Sequence, residues 1–250
     1  MTTQISPPYI ETQHIVSTLK TKGYAVLRPT STFELLNCAT TDTSRWLPSW
    51  NDLPPDAYLK DGGHYRRRRH SCFVVSGESV QQAKHRAHWQ PLEYNALHGG
   101  MQRMFEPMSA NVVQSSAWVT MLSKLGQLCS ALKPNIQTWY VEAHQFRIDT
   151  TDGIGRPTPE GAHRDGVDFV AVMLINRHDI KGGETRVFDV NGSAGQRFTM
   201  MEPCTLLLLD DARVIHESTP IQPLQTDTDI GYRDTLVLTF RAKSFQGEAA

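Results

Sequence analysis

Hydrophobic and polar positions follow two rhythms along the chain, and the rhythm changes near Pro134. Before that point the apolar residues recur mostly at helical spacing. Ile10, Ile15 and Leu19 predict an amphipathic helix from about Tyr9 to Lys20, with Gly23 as its stop. YAVLRP then reads as a short strand closed by Pro29, and Ser31 or Thr32 as the cap of a helix over FELLNCA. The stretch WLPSWNDLPPDAYLKDGGHY, rich in Pro, Asp and Gly, predicts a long loop, and RRRRHSCFVVS a strand entered through four arginines. From Pro107 to Leu132 the pattern turns helical again, with Trp118, Leu122 and Leu125 on its apolar side, and Pro134 ends it.

After Pro134 short β-prone runs follow one another: IQTWYVEAHQFRI, DFVAVMLIN, ETRVFDV, QRFTM, TLLLLDD, ARVIHES and DTLVLTFRA. Turn signals such as TDGIGRP, KGGE and NGSAGQ separate them, which predicts a sandwich or barrel. VAVMLI and TLLLLD are apolar on both faces, as strands in the middle of a packed double sheet would be. The expected organisation is a single domain over 1–250, with a helical, loop-rich N-terminal layer over 1–133 around a β core over 134–245.

Composition narrows the class. Hydrophobic residues make up 39% and charged residues 20%, ordinary values for a globular protein, and the net charge of −1 offers no global field for nucleic acid or membrane. The four cysteines (Cys38, Cys72, Cys129 and Cys204) form no CxxC pair, which points to reduced thiols in a cytosolic protein. MTTQISPPYIETQ has neither a basic nor an apolar leader region, and no apolar run approaches the ~20 residues that span a bilayer. The expectation is a soluble, cytoplasmic protein.

The chemistry concentrates in AHRDGVDF. Residues i and i+2 of an extended segment point to one side, so His163 and Asp165 can converge on one ion. His216, in the later β region, is a good third ligand. Two imidazoles and a carboxylate on one face leave coordination positions open, the arrangement of non-haem iron(II) oxygenases, whereas structural zinc favours a closed site often built with cysteine. His-x-Asp alone arises by chance about as often as not in a chain with 10 histidines. Its weight comes from the strand-like run after it, the GGE turn, and the later His followed by an Arg-bearing strand.

The order HRDG, KGGET, a distal His and GYRDTLVLTF resembles the bacterial 2-oxoglutarate/iron(II) dioxygenases that hydroxylate free L-amino acids, the L-isoleucine 4-hydroxylase-like family. QPLEYNALHGGMQRMFEPM resembles the N-terminal half of that family, so the likeness spans about residues 60 to 241. It implies a mainly β fold with flanking helices, built on a double-stranded β-helix, the cupin-like jelly roll. It implies His163, Asp165 and His216 as metal ligands. It also implies Fe(II), 2-oxoglutarate and O2 as cofactor and cosubstrates, with hydroxylation coupled to decarboxylation of 2-oxoglutarate to succinate and CO2.

A 2-oxoglutarate site needs a guanidinium for the far carboxylate, because it can give that group two parallel hydrogen bonds. Arg233, which opens the strand after His216, is the first choice and Arg241 the alternative. The intervening PLQTDTDI reads as a loop insertion. Gln145 alternates with Arg147 on an early strand and is a further cosubstrate-side candidate. For an amino-acid substrate the basic run supplies cations: Arg66 and Arg68 face one way, Arg67 and Arg69 the other, and only one pair can point inward. Arg67, Arg69, Tyr65 and Asp168 are the substrate candidates, against the plainer reading of the arginines as a solvated sheet edge.

The expected partner is a small amino acid, with no nucleic acid and no membrane; a homodimer is compatible with the sequence. The alternatives are the same chemistry on a peptide or carrier-bound aminoacyl group, or a non-enzymatic cupin-like metal- or ligand-binding barrel.

Overall fold

A computed structural model describes residues 5–225 and 230–247. The centre of PLQTDTDI, residues 226–229, therefore lies outside the described residues, as do the first residues of the N-terminal segment.

The elements run in chain order as α1 (Ile15–Lys22), β1 (Tyr24–Leu27), α2 (Pro29–Leu36), α3 (Thr40–Trp46), β2 (Arg66–Ser76), β3 (Ser79–Gln82), α4 (Ala110–Val113) and α5 (Ser116–Leu132). They continue as β4 (Thr138–Asp149), β5 (Phe169–His178), β6 (Ile180–Gly182), β7 (Thr185–Asp189), β8 (Gly195–Phe198), β9 (Leu206–Asp210), β10 (Val214–Ser218), β11 (Ile221–Pro223) and β12 (Tyr232–Arg241). A large sheet has the order β1-β9-β5-β12-β4-β2-β3, a smaller one β10-β7-β8, and β11 pairs with β6. Neighbouring strands are antiparallel throughout. This is the mainly β jelly roll with flanking helices that the sequence predicts.

Two apolar layers hold it. Trp118, Leu122 and Leu125 on α5 meet Phe73, Val75, Trp139 and Val141 on the large sheet, together with Ala171, Leu208, Leu236 and Phe240. Gly126 permits this approach, because a Cβ there would lie 2.7 Å from Val75 Cγ1. On the other face Val170, Leu207 and Leu209 pack against Val187, Phe198 and Val214 of the small sheet. VAVMLI and TLLLLD therefore bury both faces, which is why they show no polar alternation.

Local departures from the expected pattern have simple causes. α1 is preceded by a 3-10 turn over Thr12–His14 and ends at Gly23, whose φ of 76° a side chain would resist. α2 starts earlier than Ser31 or Thr32 would cap it, because Pro29 is set for the first helical position. The long helical pattern before Pro134 splits into α4 and α5, since the Ser115 hydroxyl accepts from the Trp118 N–H and starts a new helix. Nor is the β core confined to 134–245: β1, β2 and β3 complete the large sheet. Among the described residues no helix is long and apolar enough to cross a membrane.

Candidate metal centre

Strand alternation decides what faces the space between the sheets. On β12, Leu236, Leu238 and Phe240 go to the helical layer, while Arg233, Thr235, Val237 and Thr239 line a cavity of about 140 Å³ on the other side. By the same parity β4 contributes His144, Phe146 and Ile148, and β2 contributes Arg66 and Arg68. His163, Asp165 and His216 line this cavity too.

The three predicted ligands converge. Their donor atoms lie within 4.8 Å of one another, with Asp165 Oδ1 3.8 Å from His163 Nε2 and Asp165 Oδ2 3.7 Å from His216 Nε2. His216 sits in β10, opposite Val187 of β7. His163 is not in a regular strand: it forms an isolated bridge with His216, and the two exchange backbone hydrogen bonds of 3.0 and 2.9 Å. Asp165 lies in the loop that follows. The convergence thus comes from a bridge and a pinned loop rather than from an extended HRDGVDF strand.

Asp211, directly after β9, does the pinning. Its carboxylate accepts the backbone N–H groups of Asp165 (3.0 Å), Gly166 (2.8 Å) and Val167 (3.1 Å). The ligands themselves are oriented by neighbours. Gly161 O accepts from His163 Nδ1 at 2.9 Å, which leaves the Nε2 lone pair free for a metal. Gln90 Nε2 donates to Asp165 Oδ1 at 3.1 Å, and the Gln90 oxygen is held in turn by Asn95 Nδ2 and Arg103 Nη2. Burial, then the neighbouring His163, keeps His216 neutral, its imidazole brought down to about 3. Burial opposes a proton on His163, but Asp165 and Glu160 outweigh it and the net shift is upward. A metal arriving there displaces that proton. Two neutral imidazoles and one carboxylate, with open space before them, suit iron(II).

At the other end of the cavity stands Arg233, buried and with no hydrogen-bond or ion-pair partner among the described residues; its Nε is fully enclosed. Burial, then the nearby Arg177 guanidinium, brings it down to about 10, so it remains a cation at neutral pH. Arg241 lies elsewhere, its guanidinium holding the carbonyls of Ser244 and Phe245. Gln145 turns away from the cavity and donates to Ser49 Oγ at 2.7 Å.

The substrate-side expectations need correction. Arg66 and Arg68 are the inward pair. Arg67 turns outward, with Nε 3.4 Å from Asp149, and Arg69 pairs with Glu106 at 2.9 Å. Tyr65 is buried against Asp61, which accepts its hydroxyl at 2.5 Å, and Asp168 pairs with Lys133 and accepts from the Ala242 N–H. None of these four lines the cavity. What the sequence reading missed is Gln90, Asn95, Arg103, Glu160 and Asp211. The first three sit in an irregular segment with no periodicity to assign a face. Asp211 had one signal, a second Asp directly after the LLLLD strand.

A second cluster lies on the same inner face. Glu142 Oε2 accepts from His88 Nδ1 at 2.6 Å and from His70 Nε2 at 3.1 Å, with His144 Nε2 4.0 Å away. Burial would raise the Glu142 carboxyl, but His88 and His70 outweigh it and hold it well below the usual range. Arg68 Nη2 donates to His144 Nδ1 at 2.7 Å. Since guanidinium only donates, a neutral His144 carries its proton on Nε2 and has no lone pair there for a metal. The cluster is therefore a hydrogen-bond network.

Two outcomes follow from these contacts. Asp211→Asn replaces one acceptor oxygen by a donor facing backbone N–H groups. Iron(II) affinity, read by titration of the metal-free protein, should fall about 10- to 100-fold; unchanged affinity would show that the loop needs no clamp. The second concerns His88, which burial brings down to about 3 from its ordinary 6.5. Between those values the unfolded chain binds a proton that the folded one does not, so stability falls as pH drops below 6.5. From pH 7 to pH 5, wild type should lose about 2 kcal/mol more than His88→Gln in denaturant unfolding. Equal losses would mean that His88 is already charged in the folded protein.

The geometry agrees with what the chain is similar to. The family model for 2OG-Fe dioxygenases matches residues 47–239. A crystal structure of a bsmA homolog from Methylobium petroleophilum PM1 is 49% identical and superposes with a TM-score of 0.91, covering 98% of each chain. IDO from Bacillus thuringiensis superposes at 0.69 with 17% identity, covering 94% of this chain and all of that one. The Fe(II)/α-ketoglutarate-dependent dioxygenase TqaL superposes at 0.70 with 20% identity, over 94% and 88% of the two chains. At those identities the last two show a shared fold. No curated protein matches the sequence. The chain belongs to the 2OG-Fe dioxygenase family, an enzyme family that uses iron(II), 2-oxoglutarate and O2.

Proposed function

We propose that the protein hydroxylates a free L-amino acid or a close derivative, coupled to conversion of 2-oxoglutarate to succinate and CO2. His163, Asp165 and His216 would hold the iron, and Arg233 the far carboxylate of 2-oxoglutarate. The observation that carries the reading is that one cavity joins the triad to a buried cation with no partner among the described residues. An isolated buried charge is unfavourable, and a carboxylate reaching it from the triad end would satisfy it through two hydrogen bonds. Ser218 Oγ, buried and without a partner, lines the same space and can donate a further bond.

Iron(II), when bound, supplies the activation of dioxygen. The task of the chain is placement. Val172, Leu207 and Val237 keep the cosubstrate side apolar, and Gln90 holds the carboxylate ligand in one orientation. No side chain need act as a general base.

Two features support a small amino acid over a peptide or carrier-bound group. The cavity is smaller than the ~300–1,000 Å³ of pockets for drug-sized ligands. Its β2 side also carries unsatisfied donors, Arg66 Nη2 and Arg68 Nε, that suit a free carboxylate.

The test is succinate release by purified protein with iron(II), ascorbate, 2-oxoglutarate and each of the common amino acids, with mass spectrometry for the gain of one oxygen. At least one free amino acid should raise succinate above background, and His163→Ala should abolish the response. A response to peptides alone would move the reading to the larger substrate; no response, with 2-oxoglutarate bound equally by His163→Ala, would remove it. Arg233→Ala should raise the KM for 2-oxoglutarate by more than about thirtyfold, as expected for truncating a buried charge pair. The KM for the amino acid should stay within about threefold. An unchanged 2-oxoglutarate KM would show that Arg233 is not the anchor.

A further inference from the structure

Glu160 is a carboxylate beside the triad that the proposed chemistry does not use; Glu217, which also lines the cavity, is already paired with Arg186. Glu160 lies in the segment leading into His163, lines the cavity, and is only 12% exposed at its side chain. Its Oε1 is 3.6 Å from His163 Nε2, and its Oε2 is buried with no hydrogen-bond partner. Among the described residues His163 is its sole ion-pair neighbour. Arg103 acts on it only across a distance, having given Nη2 to Gln90.

Glu160 does not complete the metal site, because its oxygens fall outside the set of donor atoms that lie within 4.8 Å of one another. A metal on His163 Nε2 takes that nitrogen, and Glu160, near the ion but outside its donor set, then has no hydrogen-bond donor among the described residues. A buried carboxylate oxygen with no donor is disfavoured, and a ligand that carries N–H groups into the cavity would satisfy it. Across the same cavity the imbalance is reversed: Arg66 Nη2 and Arg103 Nε are buried donors with no acceptor. A ligand that satisfies both sides carries an ammonium at one point and a carboxylate at another.

We propose that Glu160 is the ammonium subsite of this cavity and makes a free primary amine a requirement for substrate binding. This rests on the reading of His163, Asp165 and His216 as the iron site. The role is one of specificity: Glu160 accepts hydrogen bonds from the substrate nitrogen, and excludes ligands in which that nitrogen is acylated or replaced by a hydroxyl.

The experiment measures binding by calorimetry to the anaerobic protein loaded with iron(II) and 2-oxoglutarate, so that it does not depend on turnover. The probes are L-amino acids, the matching 2-hydroxy acids and n-butylamine, against wild type, Glu160→Asp and Glu160→Gln. In Glu160→Gln the tightest-binding amino acid should weaken at least about tenfold, the loss expected for a charge-assisted hydrogen bond. The 2-hydroxy acid should change less than about twofold, Glu160→Asp should restore part of the loss, and 2-oxoglutarate affinity should hold in every variant. Equal binding of amines and amino acids by wild type and Glu160→Gln overturns the subsite, as does an equal loss for the 2-hydroxy acid. Oxidation of amino acids with no effect of Glu160→Gln would remove the subsite and leave the proposed function standing. Glu160-dependent binding of n-butylamine with no amino acid bound or oxidised would do the reverse.

Discussion

The site depends on one carboxylate that is not itself among the three candidate ligands. Asp211 is fully buried and accepts three consecutive backbone N–H groups, from Asp165 to Val167. The same residue gives its own N–H to Asp168 O and accepts Arg164 Nε at its carbonyl, 2.5 Å away. A loop would otherwise be the least determined part of such a site, since it has no ladder to set its register. Here its geometry is copied from the end of β9, whose position is fixed by pairing with β1 and β5. Asp165 inherits the rigidity of the large sheet without belonging to it.

The rest of the cavity follows from strand parity. Because the side-chain period is two, each strand of the large sheet gives alternate residues to the helical layer and to the inner face. The registers carry this across strands: Arg66 is opposite Ile148, Arg68 opposite Phe146, and His70 opposite His144. A cation on β2 therefore faces the same space as Arg233 on β12, with β4 between them. The helical layer anchors the opposite residues, so that slipping a strand by one position would put Phe73 or Trp139 into the cavity and an arginine into the apolar core.

This parity also explains what was legible in the sequence. β2 emerges over the residues of RRRRHSCFVVS, and the alternation of its arginines was readable, but alternation alone does not say which face is inward. The answer lies in Phe73 and Val75, which commit one parity to the helices and so send Arg66 and Arg68 inward. His163, Asp165 and His216 were readable as candidate metal ligands from their residue types and order, although an isolated bridge and a pinned loop, not an extended strand, bring them together. Gln90, Asn95 and Arg103 were not, since each reaches the site from a segment without regular structure, where position along the chain says nothing about direction. The short strands β3, β6 and β11 were missed for a related reason: three or four residues are too few to show a period.

Two groups of histidines and carboxylates share this inner face, and the direction of single hydrogen bonds separates their roles. At His163 the second ring nitrogen meets a carbonyl, Gly161 O, which can only accept. The proton must then sit on Nδ1, and Nε2 turns a lone pair toward Asp165 and His216. At His144 the second nitrogen meets Arg68, which can only donate, and the proton is forced onto Nε2. His88 and His70 likewise give their protons to Glu142. Composition alone would make the His70, His88, Glu142 and His144 group the richer metal site, with four residues against three. The surrounding donors and acceptors reverse that ranking, because a metal entering it would have to displace protons that Arg68 and Glu142 hold in place. At the triad only the proton that Asp165 and Glu160 favour on His163 has to leave, since His216 is already neutral, and the second network instead fixes the orientation of Arg68 on the wall where a carboxylate would dock.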